Sequence, residues 1–185
     1  QQLFGPWALV FDTLLDLQNG EVTSEEQLHA QVIEDINNIS NSYAAPPELF
    51  PSWESIAPLL NIILPLLGLP ETDVTRSMNE QTRTETLQLL LLRLLQTYVL
   101  PGAIIVLEDA HEFDSASWTL ALAASQQLKG VLIVICMRPP RPPVPFEYQQ
   151  ILHCEHATHV SLKPLTSSES IQLAESILEL KNTRL

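Results

Sequence analysis

The chain has 185 residues, 45% of them apolar and only 17% charged, so it can bury a sizeable core and does not have a disordered composition. Its net charge of −13, from nine Lys and Arg against twenty-two Asp and Glu, argues against direct binding to nucleic acid or an anionic membrane, because both need clustered cations. Two cysteines are too few for a disulfide framework, and no apolar run reaches the roughly 18 residues that span a bilayer, which together suit a reducing, cytoplasmic setting.

Residues 6–17 predict a helix with Pro6 near its start and Trp7, Val10, Phe11, Leu14 and Leu15 on one face. A capping-box pattern at Thr23–Glu26 predicts a second helix to about Ile39, with Leu28, Val32, Ile36 and Ile39 at helical spacing. The prolines of 41–52 make a loop. A third helix covers about 53–66, kinked or bounded by Pro58 and Pro65. The polar stretch 68–81 reads as a mobile connection, and a leucine-rich helix at about 83–98 carries apolar residues on more than one stripe, so it is expected to be buried on two sides.

The pattern changes after Pro101-Gly102. "AIIVLED" at 103–109 reads as a fully buried strand, and Asp114 or Ser115 starts a helix to about Leu128 that Lys129-Gly130 stops. "VLIVICMR" at 131–138 is a second buried strand. "PPRPPVP" is a loop with no regular element, 158–162 gives a third, shorter strand signal, and Thr166 with Glu169 forms a capping box that opens a helix to about Leu180. The expected fold class is therefore α/β. A helical segment, 1–100, precedes an α/β part, 101–185, whose strands 103–109, 131–137 and 158–162 are adjacent and parallel with helices on both faces.

Ligands of an open parallel sheet bind at the carboxyl ends of its strands, so carboxylates delivered there by an apolar strand are presented at a site. Glu108 and Asp109 stand at such an end. One of two adjacent carboxylates can hold Mg²⁺, which keeps several waters, while the other orients a water for attack on a terminal phosphate. Arg138 ends the next strand and can read that phosphate. The competing readings are a solvated loop start for the acids and an ion pair between Arg138 and one of them. "HCEHATH" at 153–159 invites a zinc site, but it lacks a second cysteine and matches no common finger spacing.

Together, "LEDAH..D..S", "MRP" and "L.PL" followed by a capped helix resemble the central part of an AAA-related, signal-transduction P-loop ATPase (ASCE and STAND type). The first is similar to the Walker B segment, the second to the strand end with the sensor arginine, the third to the segment bearing a proline near the adenine. "FGPW" near the start and "D.ASW" after Walker B look most like the ATPase region of soluble adenylate cyclase and its relatives. The resemblance covers roughly 1–180, with its specific part at 101–180. It implies ATP with Mg²⁺ as cofactor, Glu108 as the metal-side acid, Asp109 as the water-side acid, Arg138 at the terminal phosphate and Pro164 at the adenine. It also implies a regulatory module of a larger signalling protein that contacts upstream domains. The same motifs suit an ATPase attached to a DNA-binding or kinase output domain, or a degenerate, non-catalytic interaction module. Two departures stand out. The order of acids is Glu then Asp, which leaves their division of roles open. No Gly-x4-Gly-Lys-Ser/Thr occurs, and the glycines at 5, 20, 68, 102 and 130 are isolated. The expectation is that the phosphate loop precedes Gln1 in a longer chain, and that the present residues alone have little or no ATPase activity.

Overall fold

A computed structural model describes residues 3–15, 30, 32–34, 36–37, 51–140 and 142–182. It forms two units, 1–153 and 154–185, each taken by itself below.

In the first unit, a 3-10 turn at Gly5–Trp7 runs into helix α1, Ala8–Leu14. Residues 30, 32–34 and 36–37 are helical, with Val32 and Ile36 buried as their spacing predicts. The expected cap at Thr23–Glu26 and most of the loop at 41–52 lie outside the described residues. The third expected helix is a 3-10 segment, Glu54–Ile62, followed by a short one at Pro65–Leu67. Pro58 lies within the first and Pro65 starts the second, and a proline removes one backbone donor and crowds the carbonyl before it, which an α-helical ladder tolerates poorly. Asn61 then fixes the exit, donating from Nδ2 to the Leu69 carbonyl at 2.8 Å and accepting from its N–H at 3.0 Å.

The stretch expected to be a mobile connection instead contains helix α2, Asp73–Ser77. Thr72 caps it reciprocally with Thr75, and the Thr72 hydroxyl donates to the Ser55 carbonyl at 2.6 Å. Helix α3, Glu80–Tyr98, is capped by Asn79 and buries Leu87, Leu90, Leu91, Leu94 and Leu95. These leucines share one core with Phe4, Trp7, Phe11, Trp53, Ile56 and Leu60.

Strands β1, Ile104–Leu107, and β2, Leu132–Ile135, pair in parallel with Ile104 opposite Leu132 and Leu107 opposite Ile135. Helix α4, Ser115–Gln127, connects them. This is a mixed helical fold with a small two-stranded parallel sheet, compatible with the expected α/β class. The burial differs from expectation. Ile105 and Leu107 enter the core with Leu120, Ala121 and Ala124, but Ile104 is 63% exposed and Val106 50%. The strand is therefore buried on one face only, because the described helices cover one face of the sheet. A helix absent from the sequence reading, α5 at Phe146–Leu152, follows the proline loop and begins directly after Pro145.

In the second unit, residues 158–162 belong to no strand. An extended segment becomes a strand only when a neighbour supplies the ladder, and no described residue pairs with it. Helix α6, Ser167–Asn182, starts at the predicted box: the Thr166 N–H donates to Glu169 Oε2 at 2.7 Å, and the Glu169 N–H to the Thr166 hydroxyl at 3.3 Å. No helix among the described residues is long and apolar enough to cross a membrane.

Candidate functional site

The parallel register brings the carboxyl ends of β1 and β2 together. The ladder continues past the strands, with the Cys136 N–H donating to the Leu107 carbonyl at 2.8 Å and the Ala110 N–H to the Cys136 carbonyl at 2.9 Å. Glu108 and Asp109 lie between those two bonds, and Arg138 lies two residues beyond them on the other strand. Three of the four sequence-predicted site residues therefore share one end of the sheet. The fourth, Pro164, belongs to the second unit, where it lies exposed in the extended run before α6.

Asp109 carries a backbone feature that composition does not announce. Its φ is +49° and ψ +37°, the left-handed region, where a side chain other than that of Gly, Asn or Asp is costly. That turn reverses the chain into a 3-10 segment, Ala110–Glu112, closed by the Glu112 N–H donating to the Asp109 carbonyl at 2.8 Å. Such conformations persist only where the surroundings hold them, and they cluster at functional sites.

Glu108, Asp109 and Arg138 are all exposed, and among the described residues no ion pair joins Arg138 to either acid. A cavity of about 710 Å³ lies between the 110–113 turn and the chain after β2. Arg138, His111, Glu112, Met137 and Trp118 line it, together with prolines of the 139–145 loop. Glu108 and Asp109 sit outside that lining. The aromatic floor is fixed: Phe113 and Trp118 have ring centroids 5.1 Å apart, and Tyr148 meets Trp118 edge-on at 5.5 Å. His111, Trp118 and Met137 fall within the quoted motifs, but neither they nor Glu112 were given a role by sequence reasoning. His111 was legible only as the second residue after the acid pair, since the 3-10 turn that folds it back is a tertiary outcome.

Asp114 has a different role. It caps α4 through Ser117 N–H at 2.8 Å, accepts from the Ser117 hydroxyl at 2.8 Å, and takes the Phe4 N–H at 3.1 Å. The Trp7 indole N–H donates to the Ser117 carbonyl at 3.2 Å beside it.

Among the described residues no three His, Cys, Asp or Glu side chains gather as a metal site, around 153–159 or elsewhere. Two adjacent exposed carboxylates are a donor set of the kind Mg²⁺ uses, one or two carboxylates with water in the rest of its shell. No family model matches the chain, and no curated protein or solved structure matches it.

Proposed function

We propose that this chain is part of a regulatory, nucleotide-binding P-loop ATPase module of a larger signalling protein, similar to that of soluble adenylate cyclase. ATP and Mg²⁺ are its ligands, the cytoplasm its setting, and upstream domains of the same protein its partners. The observation that carries this reading is the parallel pairing of β1 and β2. It sets two adjacent carboxylates and an arginine at the carboxyl ends of neighbouring strands, with no ion pair between them. Glu108 takes the metal side, Asp109 orients the attacking water, and Arg138 meets the terminal phosphate. Pro164 is assigned to the adenine on the resemblance alone.

The lack of a phosphate-cradling glycine loop in these 185 residues favours a second reading, a non-catalytic interaction module. Titration of a longer chain that supplies the phosphate loop ahead of residue 1 with ATP and ADP, followed through tryptophan fluorescence with and without Mg²⁺, separates the two. The nucleotide reading expects Mg²⁺-dependent binding in which ATP is preferred and Arg138→Ala erases the preference. An identical, metal-independent response to both nucleotides, or none, supports the interaction module.

A further inference from the structure

His111 is the most enclosed polar side chain at the strand ends, 17% exposed, between two exposed carboxylates. Its Nδ1 is buried and makes no hydrogen bond. Asp109 Oδ1 faces that nitrogen at 3.9 Å, and Glu112 Oε1 faces Nε2 at 3.6 Å on the cavity wall. Buried polar atoms are almost always paired, so an orphaned ring nitrogen beside a carboxylate is a contact poised to close. Closing it takes a shift of about 1 Å, from 3.9 Å to ordinary hydrogen-bond length. The imidazole is held by its surroundings, whereas the Asp109 side chain is 80% exposed, so the carboxylate is the partner that moves. Hydrogen bonds at such sites are often long until a ligand is bound.

We infer that His111 is a positioning residue: its Nδ1–H aims the Asp109 carboxylate, while Nε2 faces the cavity beside Glu112. The left-handed turn at Asp109 is the device that makes this possible. It folds residue 111 back under residue 109, and the 3-10 segment holds it there. What the aimed carboxylate then does, orienting a water near phosphate, rests on the nucleotide reading above. The contact itself does not.

The test uses the whole 185-residue chain with ¹⁵N-labelled histidine and ¹³C-labelled aspartate carboxyls, observed by NMR at one fixed neutral pH. His111 is expected to hold its proton on Nδ1, and Asp109→Gly, which removes the acceptor at an exposed position and keeps the left-handed turn, is expected to shift the tautomer balance severalfold toward Nε2. His111→Asn keeps a donor where Nδ1 stood, so the Asp109 carboxyl resonance stays near its wild-type position. His111→Gln places its amide where Nε2 stood, so that resonance moves to the value of a free carboxylate. A tautomer balance unchanged in Asp109→Gly, or an Asp109 resonance that is the same in both His111 variants, overturns the inference. Failure of a longer chain that carries the phosphate loop to bind Mg·ATP counts against the nucleotide reading alone, because neither resonance needs nucleotide.

Discussion

Residues 108–112 and 113–118 are two halves of one short connection, and the fold uses them differently. In the second half the key side chains are engaged. Asp114 accepts three hydrogen bonds, Ser117 is fully buried, and Trp118 is 2% exposed between Phe113 and Tyr148. In the first half Glu108 and Asp109 project into solvent, Asp109 sits in the left-handed backbone region that few side chains adopt, and His111 is left with an unpaired ring nitrogen. Capping and packing account for Phe113, Asp114, Ser117 and Trp118. Residues 108–112 keep their turn through the Ala110–Cys136 and Glu112–Asp109 backbone bonds, but leave two carboxylates in solvent and the His111 Nδ1 unpaired, and polar groups that the fold does not use point to function.

The contrast predicts a graded series of effects. Trp118→Ala should cost about 3–5 kcal/mol, since it removes a buried aromatic from the floor of the cavity and from two ring contacts. A thermal melt reads this directly, and a loss within experimental scatter of wild type would break the contrast from the structural side. Asp114→Ala should cost about 1–2 kcal/mol, because α4 loses its cap and the Phe4 N–H loses its acceptor. Asp114→Asn should recover part of it, as asparagine caps well. Asp109→Gly should go the other way and stabilise the chain by up to about 1 kcal/mol, because glycine adopts positive φ freely. A destabilised Asp109→Gly variant would mean that the carboxylate supports the fold, and the two halves would no longer differ.

The smallest effect lies at α6. Glu169 has its carboxyl below the ordinary 4.5, because the Thr166 N–H and then the Thr166 hydroxyl donate to it. A lowered folded-state pKa contributes stability that is complete above 4.5 and is lost as pH falls through the lowered value. The first turn of α6 should therefore fray on acidification past that range, seen in the carbon shifts of residues 167–171. Glu169→Gln should remove the dependence.

What was legible in the sequence had local causes. The two strands, α3, α4 and α6 follow from apolar runs and from caps at Asp114 and Thr166, which act within four residues. Helix α2 was missed although Thr72 and Thr75 cap it, because the pair departs from the usual Glu or Gln at the third position. Helix α5 was hidden behind the prolines that start it. The third strand failed for the opposite reason: alternation at Val160 and Leu162 is a local signal, whereas pairing needs a neighbour. At the site, Glu108, Asp109 and Arg138 could be placed at one sheet end from strand order alone. The left-handed turn, and the His111 it folds back, depend on the bond from Ala110 to Cys136, which spans 26 residues.

The strand-end acids are tested most directly by hydrolysis in a longer chain that supplies a Gly-x4-Gly-Lys-Ser/Thr loop ahead of residue 1. Asp109→Asn should slow ATP turnover by about 10²–10⁴-fold while changing ATP affinity little, as expected of a group that acts in the transition state. Glu108→Gln should instead weaken Mg²⁺-dependent nucleotide binding. If both variants turn over and bind as the unaltered chain does, the two carboxylates are a solvated strand end and the nucleotide account of this protein is wrong.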